Sequence, residues 1–106
     1  MIRSFDPIAD ENSKLLILGT MPGAESLRKQ QYYGYDRNQF WKIMFSVFQE
    51  DFKENYDEKK KLLLENGAAL WDVIKNCERE NSSDSKIKRP EANDISSLHC
   101  LQNILI

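Results

Sequence analysis

The sequence lacks a long apolar run. Its 106 residues contain no apolar stretch near the roughly 20 residues that a membrane-spanning helix needs. The first segment, MIRSFDPIADENSK, also lacks the apolar core of a signal peptide. We therefore expect a cytoplasmic protein with no membrane partner. The length, with 41% hydrophobic and 30% charged residues, is typical of one small globular domain around a single core.

Cysteine is scarce as well. The two cysteines, Cys77 and Cys100, lie far apart in the sequence and outside the short spacings of metal-binding motifs. The sequence therefore predicts neither a disulfide framework nor a cysteine-ligated metal. Both cysteines are expected to be reduced and structural.

The chain also lacks the strong positive charge of many nucleic-acid-binding proteins. It carries 15 basic and 17 acidic residues, a net charge of −2, and a field of that sign does not attract nucleic acid. Basic residues are nevertheless in excess between positions 26 and 49, where Asp36 is the one acidic residue. The basic residues of this segment are Arg28, Lys29, Arg37 and Lys42.

Apolar runs and helical periodicity alternate along the chain. KLLILG (14–19), AALWDVI (68–74) and NILI (103–106) are short apolar runs that predict strands of a parallel sheet. A helical period begins at Asn38, and residues 56–66 predict a further helix that Gly67 closes. Residues 24–30 predict a short helix or a loop. Strands that alternate with helices indicate an α/β fold.

The remaining segments are polar. Residues 75–92 predict a long connection without regular structure, which is usually functional or mobile. Asn93 or Asp94 is expected to cap a short helix over residues 95–102. His99 lies on that helix and receives no functional role.

Two polar segments follow predicted strands, at the sheet edge where parallel α/β proteins bind their ligands. They are TMPGAESL (20–27) and DVIKNCERENSSDS (72–85). The first lacks both the GK[ST] ending of a P-loop and the spacing of a dinucleotide fingerprint. The two common nucleotide-binding motifs therefore fit poorly.

Three stretches, taken in order, resemble the uracil-DNA glycosylase superfamily, and within it the hypoxanthine (deoxyinosine) DNA glycosylases. They are LLILGTMPGAESL, QYYGYDRNQFWKIM and ENGAALWDVIKNCERENSSDSKI. The resemblance implies a three-layer α/β/α sandwich with a central parallel sheet. It implies an enzyme that flips a damaged base out of DNA and hydrolyses its N-glycosidic bond without metal or cofactor. The implied partner is double-stranded DNA with a deaminated or mismatched base, hypoxanthine or uracil.

The resemblance also implies site residues. Asn38 matches an essential amide that holds the attacking water, a role that Met21 in the first motif cannot take. Phe40 matches an aromatic that stacks on the base, and Asp72 matches a residue that contacts the base edge. The residues expected to bind the base are Met21, Pro22, Gly23, Tyr33, Phe40 and Asp72. Those expected to contact DNA are Ser26, Arg28, Lys29 and Arg37.

Each assignment has a structural alternative. Asn38 precedes a helical pattern, where Asn is a favoured N-cap. Phe40 begins the apolar stripe of the same helix and could belong to the core. Asp72 could cap a loop, and Trp41 and Trp71 are expected in the core.

Members of the family continue past the third strand to a fourth strand and a Ser/Pro-containing motif that grips DNA, which residues 1–106 do not match. We therefore expect one incomplete domain over 1–106 whose last strand or strands are missing. Its apolar last run, NILI, would then be an edge open to self-association. Two other functions stay open: a non-catalytic truncated fragment or nucleic-acid-binding remnant, and a small ligand-binding protein unrelated to DNA.

Overall fold

The computed structural model describes residues 1–79, 87–98 and 103–105. The strands in these ranges are β1 Ile2–Arg3, β2 Leu15–Gly19, β3 Ala68–Asp72, β4 Ile74–Glu78, β5 Lys88–Ala92 and β6 Asn103–Leu105. The helices are α1 Ala24–Lys29, α2 Phe40–Val47 and α3 Tyr56–Glu65, with a turn of 3-10 helix over Ile95–Ser97. Helices and strands along one chain give the α/β class that the sequence predicts.

The apolar runs form a parallel sheet. Strand β2 lies between β3 and β6 and pairs with both in parallel register. Leu16 and Leu70 are fully buried, which explains why these strands consist of apolar residues without alternation. The three predicted strands are thus observed, although β3 ends at Asp72 rather than at residue 74. The three-layer sandwich and self-association through the last strand stay predictions.

A second, antiparallel sheet shows that the prediction for residues 75–92 was wrong. Strand β4 pairs with β1 on one side and with β5 on the other. Every residue of β5 is exposed, so no apolar alternation marks this strand in the sequence. Pro90 is tolerated because β5 lies at the edge of the sheet. Residues 80–86, between the two strands, lie outside the described ranges.

Two of the three α-helices in the described ranges, α2 and α3, begin where a polar side chain accepts a hydrogen bond from a backbone N–H group of the first turn. The Asn38 Oδ1 accepts a hydrogen bond from the N–H of Phe40 (2.8 Å) at the start of α2. The Asn55 Oδ1 accepts one from Glu58 (3.2 Å) in the first turn of α3. Gly67 follows α3 with a φ of 70°, the left-handed conformation that closes a helix, as predicted. Across the described ranges, every helix is too short or too polar to span a membrane.

The helix predicted over residues 95–102 is smaller than expected. Its described part is the 3-10 turn, where the Asp94 side chain forms no cap hydrogen bond and Asn93 accepts the N–H of Ile95 through its backbone carbonyl oxygen (3.0 Å). The Asp94 carboxylate instead accepts a hydrogen bond from the hydroxyl of Ser96 at 2.5 Å. Residues 99–102, and with them His99, lie outside the described ranges.

The core attaches the loop between α1 and α2 to the rest of the molecule. Trp41 is buried, as predicted, and its indole N–H donates to the carbonyl oxygen of Tyr32 (2.7 Å). The buried Tyr32 hydroxyl donates in turn to the carbonyl oxygen of Asp6 (2.9 Å). The Tyr32 N–H donates to the hydroxyl of Tyr56 (3.0 Å) on α3. These bonds fix the first residues of the loop that contributes to the site.

Candidate active site

A cavity of about 610 Å³ lies at the carboxyl ends of β2 and β3. Strand β2 leads into the turn over residues 20–23, β3 ends at Asp72, and the loop after α1 lies opposite, so the three segments enclose the space. The volume falls within the roughly 300 to 1,000 Å³ of typical ligand pockets. The cavity therefore occupies the sheet edge at which the sequence predicts binding.

Gly19 and Asp72 form one wall of this cavity and are partners in the β2–β3 pairing. Asp72 is 4% exposed. A Cβ atom on Gly19 would lie 2.3 Å from the Asp72 Oδ1 and 3.3 Å from the hydroxyl oxygen of Tyr33. Glycine is therefore required here, because any side chain would displace the carboxylate.

The wall is held from behind by Asn93, which follows β5. Its side-chain amide donates to the carbonyl oxygen of Asp72 (2.8 Å). Its backbone N–H donates to the carbonyl oxygen of Val73 (2.8 Å). Asn93, which the sequence offers as a possible helix cap, thus supports Asp72, the residue expected to contact the base edge.

The turn between β2 and α1 contains the predicted base-binding residues Met21, Pro22 and Gly23, and all three line the cavity. Met21 is 8% exposed, so the turn is packed on the body of the protein. The Pro22 carbonyl oxygen accepts a hydrogen bond from the Arg79 guanidinium at 2.5 Å. Sequence reasoning missed Arg79 and the supporting role of Asn93, because both lie in or beside a segment predicted as a connection.

Tyr33 and Phe40 form an aromatic pair beside the cavity. Their rings are stacked, with centroids 3.9 Å apart and an interplanar angle of 15°. Tyr33 lines the cavity, whereas Phe40 lies behind it and outside the lining. Burial, and then the nearby Asp72 carboxylate, raises the pKa of the Tyr33 phenol. The Tyr33 hydroxyl is therefore protonated at neutral pH.

Asn38 lines the same cavity from the exposed end of the loop. Its side-chain oxygen accepts the N–H of Phe40 and thus acts as the helix cap that sequence reasoning kept as an alternative. An amide oxygen has two lone pairs, so this atom can accept a second hydrogen bond from a water molecule. Its capping and its predicted catalytic role are compatible.

The predicted DNA contacts are placed differently from one another. Ser26 is 6% exposed, and its hydroxyl accepts the N–H of Gly34 (2.9 Å) inside the loop. The Lys29 ammonium donates to the Gly34 carbonyl oxygen (2.8 Å) and pairs with Asp36 (2.7 Å). Both residues therefore brace the loop, and their contact with DNA stays a prediction.

The two arginines remain at the surface. Arg28 pairs with Glu25 at 2.8 Å on the exposed side of α1. Glu25 lies just before residues 26–49, the segment in which basic residues are in excess. The hydrogen bond from Arg28 lowers the pKa of the Glu25 carboxyl. Arg37 is exposed and forms no ion pair with any residue in the described ranges. Within those ranges, no cluster of three or more His, Cys, Asp or Glu side chains could hold a metal ion.

Comparison with known proteins shows which protein family the sequence matches. Residues 5–104 match the sequence model of the uracil DNA glycosylase superfamily. A hypoxanthine DNA glycosylase of Methanosarcina barkeri is 44% identical over 97 residues. One of Methanosarcina acetivorans is 46% identical over 97 residues. Each alignment covers 91% of this chain and 61% of the relative.

A solved structure matches as well. It is a solution NMR structure from Methanosarcina acetivorans, provisionally named a uracil DNA glycosylase, with a TM-score of 0.84 and 44% sequence identity. The match covers 96% of this chain and 66% of the other. The chain thus spans less than two thirds of each of these relatives.

Proposed function

The chain belongs to the uracil DNA glycosylase superfamily, and from this we propose that it hydrolyses the N-glycosidic bond of a deaminated base, hypoxanthine or uracil, flipped out of double-stranded DNA. One observation carries the proposal. The cavity is lined by a backbone turn, by Tyr33 stacked on Phe40, by a buried carboxylate and by an exposed amide, the groups that base recognition and the positioning of a water molecule require. The three-layer α/β/α sandwich is the arrangement that family membership implies.

Entry of the base requires its extrusion from the duplex. Unstacking and unpairing cost a few kcal/mol and cost least at a mismatched or damaged base, which favours lesions. Stacking on an aromatic ring returns about 1 to 3 kcal/mol per base. Tyr33, which lines the cavity and is stacked on the ring of Phe40, offers a surface for such stacking.

Recognition of the base edge falls to the turn and to Asp72. The Asp72 carboxylate can accept the N1–H of hypoxanthine or the N3–H of uracil. The N–H groups of Met21 and Gly23 can donate to base oxygens. An ionised Asp72 opposes the negative charge that develops on the leaving base, so stabilisation must come from N–H donors of the turn and from the Tyr33 hydroxyl.

Hydrolysis requires a water molecule positioned to attack C1′ of the sugar. We assign this role to Asn38, whose side-chain oxygen would hold the water while the water oxygen bonds to C1′ and the N-glycosidic electron pair leaves with the base. The proton that the attacking water loses passes to the solvent, and the departed base anion takes up a proton from the solvent. A neutral amide orients the water but does not deprotonate it. Most of the acceleration must therefore come from stabilisation of the leaving base.

Duplexes that contain a single inosine or uracil test the proposal, with an undamaged duplex of the same sequence as the control. After incubation, hot alkali cleaves the strand at any abasic site, and a denaturing gel measures the product. We expect cleavage at the lesion and none in the control. Tight lesion binding with no cleavage would instead assign the chain to a non-catalytic nucleic-acid-binding protein.

A further inference from the structure

Arg79 connects the antiparallel sheet to the cavity. It directly follows β4, is partly buried, and donates from Nη2 to the carbonyl oxygen of Pro22 at 2.5 Å. Pro22 lies in the turn that lines the cavity, whereas Arg79 itself is outside the lining. The guanidinium therefore contacts the turn from outside the cavity lining.

The bonded carbonyl determines where the next N–H points. Pro22 oxygen and Gly23 N–H belong to one planar peptide, and this peptide is trans, so the two bonds point in opposite directions. An oxygen held toward Arg79 directs the Gly23 N–H away from Arg79, on the side where Gly23 lines the cavity. We propose that Arg79 is a positioning residue that fixes this peptide, with its N–H aimed at an oxygen of the flipped base.

The local sequence shows why an external restraint is needed. The proline ring fixes φ of Pro22, which leaves ψ of Pro22 and φ of Gly23 as the rotations that turn the peptide between them. Glycine restricts its φ less than any other residue. Side chains within the turn therefore cannot hold the peptide plane, and the bond from Arg79 does so.

Charge adds to the effect of position. A hydrogen bond from an ionised donor is roughly twice as strong as a neutral one. The same cation polarises the peptide and makes the N–H on its far side a better donor. A donor that is fixed before charge develops on the leaving base stabilises the transition state without reorganisation. This role of Arg79 deepens the proposed function and rests on it.

The first experiment measures the turn itself and needs no catalysis. In ¹⁵N-labelled protein, Arg79→Gln should shift the Gly23 amide resonance and speed its exchange with solvent. Arg89→Gln is the matched control: Arg89 lies on β5 of the same sheet, pairs with Glu78 at 3.5 Å and is 80% exposed. It should leave the Gly23 amide unchanged. An unaltered Gly23 amide in Arg79→Gln would overturn the inference.

The second experiment separates positioning from contact with DNA. On inosine duplex at saturating concentration, Arg79→Gln should lower the single-turnover rate about 10- to 100-fold, less than the roughly 100- to 1,000-fold for a removed preorganised donor, because the Gly23 N–H is displaced but still present. The half-saturating DNA concentration should change little, and Arg79→Lys, which keeps the charge, should retain DNA affinity and recover part of the rate. A loss confined to DNA affinity would make Arg79 a phosphate contact and contradict the proposal.

The two readouts also distinguish failure of this inference from failure of the proposed function. If the unmodified chain releases no base from any duplex, the proposed function fails, and the Gly23 amide still decides whether Arg79 fixes the turn. If Arg79→Gln does not fold, as judged by circular dichroism, Arg79→Lys is measured in both experiments instead. It should then show a displaced Gly23 amide and a slower rate at unchanged DNA affinity, and the absence of both changes would refute the proposal.

Discussion

Two walls of the cavity are built in opposite ways. The sheet wall consists of Gly19 and Asp72, which are paired strand residues, and Asp72 is 4% exposed. The loop wall consists of Tyr33, Tyr35 and Asn38, on the segment between α1 and α2. Tyr35 is 52% exposed, and Tyr33 has a φ of 52°, the left-handed region.

This contrast separates two kinds of constraint. The sheet wall lies where backbone hydrogen bonds and close packing leave no freedom, so a change there affects folding and recognition together. The loop wall ends at the surface, where a side chain can reach DNA and water, so a change at its exposed end affects function with little loss of stability. The predictions below test this division.

The largest effect is expected for Gly19→Ala on the sheet wall. Its new Cβ would lie 2.3 Å from the Asp72 Oδ1, so either the carboxylate or the strand must move. We expect a loss of about 1 to 3 kcal/mol in the free energy of unfolding, the usual cost of overpacking. Base release should fall below detection. Urea denaturation and the alkali-cleavage assay measure the two effects.

Gly67→Ala is the matched control for this substitution. Gly67 has a left-handed φ of 70°, and the nearest atom to its added Cβ would be 3.5 Å away. The substitution should cost roughly 1 to 2 kcal/mol through backbone strain alone. Base release by the folded protein should stay unchanged. Equal loss of activity in both variants would show that the sheet wall is only a stability element.

On the loop wall, Asn38→Ala should lose function and keep the fold. We expect a decrease of about 100-fold or more in single-turnover base release, the scale of one lost polar contact in a transition state. The free energy of unfolding should fall by only about 1 kcal/mol, since the side chain caps α2 through Phe40.

Asn55→Ala isolates the capping part of that effect. Asn55 caps α3 through the N–H of Glu58 and lies outside the cavity lining. It should lower stability by a similar amount, about 1 kcal/mol, without slowing base release. If Asn38→Ala were no slower than Asn55→Ala, Asn38 would be a helix cap and nothing more.

The sequence reveals the sheet wall more readily than the support behind it. The residues of LLILG and AALWD are mostly apolar because both faces of these strands pack against other residues. An apolar run of this kind can be recognised in the sequence without knowledge of the fold. Strand β5 is exposed throughout, β4 buries the adjacent residues Asn76 and Cys77, and the pairing of the two strands includes register shifts. These two strands therefore show no regular alternation of apolar and polar residues in the sequence.

The same reasoning explains which site residues the sequence could indicate. Asn38, Asp72 and the Met21 turn lie in motifs that resemble the family, and the structure brings them to one cavity. The relation between Tyr33 and Phe40 depends on which ring covers the other, which spacing along the chain does not encode. Arg79 acts through a contact 57 residues away in sequence, which becomes visible only after folding.

Tyr32, whose hydrogen bonds fix the start of the loop wall, should make the free energy of unfolding depend on alkaline pH. Burial, more than the nearby charges, raises the pKa of the Tyr32 phenol above its unfolded value of about 10. Folding therefore favours the protonated phenol, whose stabilising contribution is present below pH 10 and is lost as pH rises further. Urea denaturation should show a loss of up to about 1.4 kcal/mol per pH unit above pH 10 from this group.

Tyr32→Phe removes the titrating group but also the hydrogen bond to the Asp6 carbonyl oxygen. The variant should be about 1 kcal/mol less stable at neutral pH. Above pH 10, the free energy of unfolding of the variant should decrease less steeply than that of the unmodified protein. An equally steep decline in the variant would show that other groups cause the alkaline loss.

Asp72→Asn should change which base is preferred. A carboxylate only accepts hydrogen bonds, whereas an amide both accepts and donates, so the ratio of base release from inosine to that from uracil should change by about tenfold or more. Asp36→Asn, which replaces an exposed carboxylate on the loop, is the control and should leave the ratio unchanged. A proportional loss on both substrates would make Asp72 a structural residue.

The smallest effects are expected at the exposed arginines. Arg37 is exposed and forms no ion pair with a residue that the structure describes, so it is available to a phosphate. Arg37→Gln should therefore reduce the slope of log affinity against log salt by about 1. Arg28 is held by Glu25, so Arg28→Gln should change that slope less. Fluorescence anisotropy of a labelled duplex at several salt concentrations compares the two. Equal slopes would show that DNA binding breaks the surface pair and that both arginines reach phosphates.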